Sequence, residues 1–419
     1  MRLNPPRGRG TMSAITAETS HPRTAAIDSR ATERAWASIA IESDIGSLEG
    51  VWRPFEATAL VTPYQAYGWI RPFVETVGAA HGMTFRYALL RDAQGALCAL
   101  LPLVITRRSG IRFAEFIGGK HANYHMGLYA PAFAAKLDAA LAQQMLAEIG
   151  AAVGGLDALV FVNQPTQWRG YLNPPALLAA GPSPSRAYKL ALIAGDGDAT
   201  LKRSMSSHAR KKLKNKHSRF RDFGPSVMNR ARTPDEIERV LSAFLEQKAA
   251  RFRAMGVPDP FAEPAVRSFL SRGASYDSNA ASAIELYSLD LAGKSVATYV
   301  GATLGERFSG MATSFDMDSE TVRTSPGELL LAELIRQKCN DGSTVFDLGV
   351  GEARYKTTFC DDHDDLVDTF LPLTFKGRLF AAMARAKREL KRRIKASPLA
   401  LKLAQRASGW LHRKERDEE

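Results

Sequence analysis

The sequence predicts an α/β (α+β) protein with two tandem domains, each a mixed, mostly antiparallel sheet flanked by helices. The first observation is a repeat: the order strand, turn, strand, turn, strand, loop, helix, strand occurs twice, and a repeat period of about 200 residues is domain-sized. The second is composition, because 45% hydrophobic and 24% charged residues are typical of a globular chain. The third is length, since 419 residues suffice for about two or three domains.

The first copy of the repeat is predicted within a domain at 36–195. Alternation and turn residues predict strands at 85–91, 96–108, 111–119 and 157–165, and helical spacing predicts a single helix at 132–154. Residues 1–35 are rich in Arg, Thr, Ser and Pro without an apolar period, and we expect them to be disordered.

The second copy is predicted within a domain at 196–375. The expected strands are 284–293, 294–305, 306–316 and 343–349, with a helix at 329–340 before the last strand. Before this copy, Thr233 is a predicted N-cap and Pro234 the first residue of a long helix.

The formal charge of +12 is concentrated in two segments. Residues 201–221 hold nine Lys/Arg and no acid, and residues 376–416 hold fourteen Lys/Arg and two acids. Such patches suit a polyanion, an anionic membrane surface or a phosphorylated cofactor. Residues 376–419 are predicted to form a basic helical tail. Two alternatives stay open: the tail makes peripheral contact with an anionic membrane, or it is a solvated helix.

Several function classes are disfavoured. The longest apolar run, 96–105, is about half of the ~20 residues that a membrane span needs, and the first residues lack a signal-peptide core. The three cysteines have no metal-ligand spacing, which predicts a reducing, cytoplasmic compartment and no metal site. No Walker loop or dinucleotide fingerprint is present.

A candidate anion site lies where the second repeat's helix begins, at Ser325-Pro326-Gly327. A helix N-terminus leaves backbone N–H groups free and carries a partial positive charge. Gly327 would let a phosphate approach the backbone closely. The predicted cofactor-binding residues are Arg323, Ser325, Gly327 and Glu328. The alternative is that Ser325 merely caps the helix and nothing binds.

Several motifs together resemble the acyl-CoA site of GNAT acyltransferases. They are the basic opener "SSHARKKLKNKHSRFRDFG", the hairpin "LDLAGKSVATYVG", the helix start "SPGELLLAELI" and "FDLGVGEARYKTTF"; "LPLVI" and "FVNQPTQWRGYLNPP" match in the first half. The chain looks like the CelD/BcsL-like branch, which is similar in architecture to the FemAB aminoacyltransferases. The family's phosphate loop is not intact, because three residues separate Arg323 from Gly327 and Leu329 stands at its last small position.

The resemblance implies acyl-CoA as co-substrate and an acceptor that attacks the thioester directly. Asp347 would position or deprotonate the acceptor, Tyr355 would protonate the departing thiolate, and Lys356 would hold a phosphate or the oxyanion. The alternative is a structural ion pair between Asp347 and Lys356, with Tyr355 in the core.

The acceptor is expected in a cleft between the halves. The predicted substrate-binding residues are Asn123, Tyr124, His125, Gln164, Trp168, Lys248 and Arg251. The alternative for Asn123, Tyr124 and His125 is a polar surface loop. The alternative for Trp168 is a place in the core, and that for Lys248 and Arg251 is a solvated helix face. The first half lacks a Ser-Pro-Gly helix start, so we expect no cofactor there.

The function implied is transfer of an acyl group, acetyl or longer, from acyl-CoA to an amine or hydroxyl acceptor. The CelD-like resemblance suggests a polysaccharide or glycolipid precursor as acceptor, which is an argument by analogy of fold. Two alternatives stay open: a FemAB-like aminoacyltransferase that uses charged tRNA, and a non-catalytic GNAT pair that binds anions or membranes.

Overall fold

A computed structural model describes residues 34–275 and 282–397 of the chain. Nearly all of the predicted disordered segment 1–35, and the last part of the predicted tail, 398–419, lie outside the described residues. Within the described part, no helix has the length and hydropathy needed to cross a membrane.

The strands of the described residues form two large sheets and one small hairpin. In chain order the strands are β1 (Ser38–Glu42), β2 (Thr84–Arg91), β3 (Leu97–Arg108), β4 (Ile111–Phe116), β5 (Leu128–Tyr129), β6 (Ala158–Pro165), β7 (Gln167–Trp168), β8 (Tyr171–Leu172), β9 (Gly181–Pro182), β10 (Ala187–Ala191), β11 (Ser226–Arg230), β12 (Glu285–Leu291), β13 (Lys294–Leu304), β14 (Arg307–Phe315), β15 (Val345–Val350), β16 (Asp362–Asp364) and β17 (Leu366–Pro372).

The helices flank these sheets. They are α1 (Glu49–Glu56), α2 (Tyr67–Phe73), α3 (Pro131–Ala134), α4 (Ala139–Val153), α5 (Gly197–Ser204), α6 (Ser207–Arg221), α7 (Pro234–Met255), α8 (Pro264–Ser275), α9 (Pro326–Asn340), α10 (Arg354–Phe359) and α11 (Phe375–Ala396). Short 3-10 turns and one π-turn, Val74–Gly78, complete the described elements.

The predicted fold class is confirmed. The first sheet has the order β1-β2-β3-β4-β6-β17-β9, with β5 on β3, and the second has the order β11-β12-β13-β14-β15-β10-β16. Each sheet has an antiparallel meander followed by one parallel pair, β4–β6 or β14–β15, joined through a helix. The repeat seen in the sequence is therefore a repeat of topology.

The two sheets exchange one strand each across the predicted domain boundaries of 36–195 and 196–375. β10, from the first half of the chain, pairs with β15, and β17, from the second half, pairs with β6. The halves also share one apolar core, in which Phe269 of α8 lies 4.9 Å from the ring of Trp69 and 5.5 Å from that of Phe73. The exchanged strands and this core hold the two halves as one compact unit.

The single helix predicted at 132–154 is wrong, because two helices, α3 and α4, stand there. Asp138 causes the break: its backbone is extended and its carboxylate accepts a hydrogen bond from the Leu141 amide at 2.8 Å, so it caps the N-terminus of α4. The predicted start of α7 is confirmed, since Thr233 and Glu236 form a capping box with Pro234 in the first turn.

Candidate active site

The two parallel strands of the second sheet separate to form a fork. β14 and β15 pair from Arg307–Ser309 against Val345–Asp347 and no further. Beyond that point β14 carries a bulge at Met311, because Gly301 opposes Gly310 and Val300 opposes Ala312. Bulges bend a strand and often lie beside functional sites. The fork opens at the carboxyl ends of both strands, the edge where α/β sheets place their ligands.

Helix α9 begins beside this fork with an open first turn. Ser325 is the N-cap residue of α9 and has a left-handed backbone, with φ of 55°; its carbonyl accepts from the Glu328 and Leu329 amides, but its side chain makes no capping hydrogen bond. Pro326 occupies the first turn and has no N–H. Among residues 34–275 and 282–397, no acceptor is found for the amide of Gly327. The helix start therefore offers a free donor to a ligand.

Basic groups border the helix start. Glu328, in the first turn of α9, forms an ion pair of 2.6 Å with Lys216 of α6, so the one acidic side chain there is neutralised. Arg323 is exposed in the turn that precedes the helix. An anion at the Gly327 amide would therefore meet a partial positive charge and nearby cations.

Asp347 lies at the base of the fork and is fully buried. Its carboxylate accepts hydrogen bonds from the Ser309 hydroxyl at 3.1 Å and the Gly349 amide at 2.7 Å, and it lies 3.2 Å from the guanidinium of Arg307. Both carboxylate oxygens are thus engaged by donors of the protein itself.

Arg307 connects this carboxylate to the first half of the chain. Its guanidinium donates to the Tyr124 hydroxyl at 3.1 Å and lies 4.5 Å from the centroid of the Trp168 ring. A second ion pair, of 3.2 Å, joins it to Asp364. Three residues predicted to be functional from separate motifs therefore meet at one arginine that the sequence analysis missed. Its partners lie far away in the chain, so no local motif marks it.

Asn123, from the first half, bridges the two strands of the fork. Its amide nitrogen donates to the Gly310 carbonyl of β14 at 2.9 Å and to the Tyr64 hydroxyl at 2.7 Å, while its oxygen accepts from the Val350 amide of β15 at 3.3 Å. The strands no longer pair with each other there, so Asn123 supplies part of the missing ladder. Gly349 is required beside it, because a Cβ there would lie 2.4 Å from the Asn123 nitrogen.

The Tyr355-Lys356 pair lies on α10, directly after the fork. The Lys356 ammonium donates to the carbonyls of Gly349 and Val350 at 3.0 and 2.9 Å. The alternative of an Asp347–Lys356 ion pair is therefore wrong, since Asp347 pairs with Arg307 instead. Tyr355 is half-buried, and burial raises its pKa to about 12, an effect that Arg251 partly offsets. Tyr355 therefore holds its proton at neutral pH.

Burial also lowers the pKa of Lys356 to about 8, which predicts a pH-dependent contribution to stability. Between pH 8 and about 10.5 the unfolded chain binds the proton that the folded chain has lost. The free energy of unfolding of the wild type should therefore rise with pH in this window relative to Lys356→Met, by on the order of 2–3 kcal/mol. Urea unfolding of both proteins at several pH values measures the difference. A difference that is flat or falls with pH contradicts the assignment.

Lys248 and Arg251 of α7 have different surroundings. The Arg251 guanidinium lies 5.9 Å from the Phe315 ring, and that ring is 3.7 Å from the position of a Cβ built on Gly327. Phe315 therefore lies near both the exposed Arg251 and the start of α9. Lys248 is half-buried against three aromatic rings, and burial lowers its pKa to about 8.

Three of the predicted substrate-binding residues make their hydrogen bonds outside the fork. His125 lines a separate cavity of about 720 Å³, its Nδ1 is 3.0 Å from the Val162 carbonyl, and burial lowers its pKa to about 4. Gln164 is buried in the first sheet and donates to Thr369 of β17 at 2.9 Å. Trp168 is buried and donates to a backbone carbonyl at 2.9 Å, so the core alternative describes its packing.

Comparisons with known proteins agree with this architecture. Residues 207–357, which run from α6 into α10, match the family model described as an acetyltransferase (GNAT) domain. No curated protein matches the chain. Among solved structures, FemX is 9% identical, with 82% of this chain and 99% of that chain covered and a TM-score of 0.55.

Two further solved structures are similar at lower TM-scores. L-PGS from Bacillus licheniformis is 11% identical over 75% of this chain and 94% of that chain, with a TM-score of 0.45. A tandem GNAT protein from the clavulanic acid biosynthesis pathway is 13% identical over 80% and 99%, with a TM-score of 0.41. The finer likeness to the CelD-like branch stays a prediction. Segment 207–357 of the chain matches a GNAT acetyltransferase domain, and the described part of the first half repeats the strand order of that segment.

Proposed function

We propose that this protein is an acyltransferase that moves an acyl group from acyl-CoA to an amine or hydroxyl acceptor, with the donor held by the second half. The observation that carries the proposal is the fork between β14 and β15 beside an open helix start, both inside the segment that matches a GNAT acetyltransferase domain. A helix start suits the pyrophosphate of coenzyme A, and a fork between strands offers a path for its extended arm.

The groups at the start of α9 fit a diphosphate. The Gly327 amide is a free donor, Arg323 is an exposed cation in the preceding turn, and Lys216 cancels the charge of Glu328. A Cβ on Gly327 would have no protein atom closer than 3.7 Å, so the space in front of the backbone is open. The cofactor-binding roles of Arg323, Ser325, Gly327 and Glu328 belong to this proposal. The amides of Ser325 and Glu328 already donate within the chain, so Gly327 supplies the free amide.

In the proposed reaction the acceptor attacks the thioester carbonyl and forms the new acyl bond, and the carbon–sulfur bond breaks. The thiolate takes up a proton from the protein, and the proton that the acceptor loses passes to solvent, from which the protein's donor is protonated again. Tyr355 supplies the proton to the thiolate, since it follows the fork and is protonated at neutral pH. Lys356 fixes the carbonyls at the end of β15 and thereby positions Tyr355. A Tyr355→Phe enzyme that turns over acyl-CoA at the wild-type rate would remove Tyr355 from this role.

Asp347 has the geometry of a positioning residue. Its oxygens already accept from Ser309 and Gly349 and face Arg307, and the side chain is fully buried, so it has no free face for an acceptor. We propose that Asp347 fixes Arg307 at the junction of the halves. Its role as a base stays a prediction, and an amine that arrives in its neutral form needs no base for the attack.

The acceptor is proposed to enter between the halves. Asn123, Tyr124 and Trp168 reach the junction from the first half, and Arg251 of α7 lies 5.9 Å from the Phe315 ring of β14. The acceptor class implied by the CelD-like resemblance, a polysaccharide or glycolipid precursor, belongs to the same proposal.

A FemAB-like aminoacyl transfer from tRNA is the second candidate. Two observations favour it: the fold likeness to FemX, and the basic helix α6, whose Lys216 contacts the start of α9. Its cations could contact a polynucleotide as well as the phosphates of coenzyme A.

A panel of ligands in thermal unfolding separates these candidates. Coenzyme A, acetyl-CoA, longer acyl-CoAs and mixed aminoacyl-tRNA are added singly to the full chain. A ligand at a hundred times its dissociation constant should stabilise the protein by about 2.7 kcal/mol. We expect a shift with coenzyme A and its thioesters. An unfolding temperature that rises with tRNA but with no coenzyme A compound contradicts the acyl-CoA proposal. If acyl-CoAs raise the unfolding temperature but the protein releases no thiol from any of them in an activity assay, the protein is a non-catalytic binding module.

A further inference from the structure

Helix α11 packs on the outer face of the first sheet through one side only. Phe380 stacks on Phe113 of β4 with ring centroids 4.9 Å apart, and Ala381 is buried. Arg388 of the same helix forms an ion pair with Asp368 of β17 and donates to Asn163 at 3.1 Å. The inner side of α11 is thus fixed to the sheet by aromatic contact and by charge.

The opposite side of α11 carries a second apolar stripe, exposed to solvent. It consists of Phe375, Leu379, Met383 and Leu390, whose side chains are 83%, 63%, 57% and 59% exposed. The spacing of four, four and seven residues places all four on one helical face. Nothing in the described part of the chain packs over these four side chains, so the stripe faces solvent there.

An apolar groove adjoins the stripe. Its volume is about 550 Å³, and its floor is made by side chains of the first sheet, among them Ile111, Val160 and Val162. Leu379 and Met383 form part of its wall. Its remaining lining includes the exposed cations Arg108, Lys376 and Lys387, the ion-paired Arg388 and one acidic side chain, Glu115. Stripe and groove thus form one apolar surface with a basic border.

The charge of α11 indicates what could cover this surface. The helix holds nine Lys/Arg and one acid, Glu389, which pairs with Arg392 and Arg393. An amphipathic helix with an apolar face between cationic residues suits the boundary between headgroups and acyl chains of an anionic bilayer. A protein partner of ordinary composition would not match so one-sided a charge.

We propose that the stripe and groove of α11 dock the protein on an anionic membrane surface. The apolar side chains enter the boundary between headgroups and acyl chains, and the bordering Lys and Arg contact lipid phosphates. The docking is peripheral and involves no helix that spans the bilayer. It stands independently of the reaction proposed for the second half, since it rests on α11 and the first sheet alone.

Co-sedimentation of the full chain with vesicles tests the docking. Phosphatidylcholine vesicles are compared with vesicles that also contain about 30% phosphatidylglycerol, a composition in which surface charge attracts basic segments. We expect partition to the anionic vesicles to be at least about tenfold stronger. It should weaken as salt rises from about 0.1 M to about 0.5 M, because salt screens the attraction. Equal partition to both kinds of vesicle overturns the proposal.

A pair of variants isolates the stripe from the basic residues of the chain. Leu379→Ser with Met383→Ser removes two exposed apolar side chains, and Val227→Ser with Met255→Ser removes two of similar exposure, 55% and 57%, in the second half. All four side chains are exposed, so both proteins should fold. We expect the first pair to reduce partition by about tenfold or more and the second to leave it unchanged. If the protein with Leu379→Ser and Met383→Ser binds the vesicles as strongly as the wild type does, the proposal is overturned. Any binding would then be due to charge elsewhere, such as that of residues 398–419.

Discussion

The variant Arg307→Met is expected to lower the free energy of unfolding by about 3–5 kcal/mol. Its guanidinium is the cationic partner of Asp347, whose side chain is fully buried, and is itself only 17% exposed. Removing the arginine leaves a buried carboxylate with two neutral donors and without its ion-pair partner, and this is the costly way to break a buried ion pair. Urea unfolding monitored by circular dichroism measures the loss.

Arg272→Met is the matched control, because Arg272 also joins the two halves through an ion pair, with Glu75, but is 56% exposed. Exposed pairs contribute roughly 0–1 kcal/mol. The double variant Arg307→Met with Asp347→Asn should recover part of the loss, since it removes the unpaired charge and keeps one acceptor oxygen, for the Gly349 amide. If Arg307→Met costs no more than Arg272→Met, the junction does not depend on this pair.

The single variant Asp347→Asn separates the two roles considered for Asp347. As a positioning residue it should affect stability and activity together. A loss of turnover by about a hundredfold, with unchanged stability and unchanged donor affinity, would instead support the predicted base.

Local features of the fold could be predicted from the sequence, because their causes are local. The meanders follow from alternating residues and turns, and the start of α7 follows from Thr233 and Pro234. The start of α9 at Ser325-Pro326-Gly327 was likewise found from capping and proline rules. The conformation of Ser325 was not, since a left-handed non-glycine residue has no reliable sequence signal.

Features that depend on distant contacts could not be predicted. The exchange of β10 and β17 between the sheets, and the meeting of Arg307 with Tyr124 and Trp168, join segments more than a hundred residues apart. The sequence marks Asp347 as a candidate site residue, but the ion pair considered as its alternative role was with Lys356, nine residues later. Proximity in sequence thus suggested a pairing that the fold does not make.

Gly327→Val is expected to weaken the binding of coenzyme A by about ten- to a hundredfold. The branched side chain would stand where a phosphate approaches the amide, and losing a hydrogen bond to a charged group costs about 1.5–3 kcal/mol. The protein itself has room for the new Cβ, which would lie 3.7 Å from Phe315 and 4.0 Å from Thr313, so the fold should be retained. Gly50→Val is the control, since Gly50 lies in the first turn of α1 with open space around it.

Isothermal titration of coenzyme A into the wild type, Gly327→Val and Gly50→Val tests directly whether the start of α9 holds the acyl donor. The wild type and Gly50→Val should bind with the same affinity, and Gly327→Val should bind about ten- to a hundredfold more weakly while it unfolds at nearly the wild-type temperature. Equal affinity for all three proteins, or no binding of coenzyme A by the wild type, would contradict a donor site at Gly327.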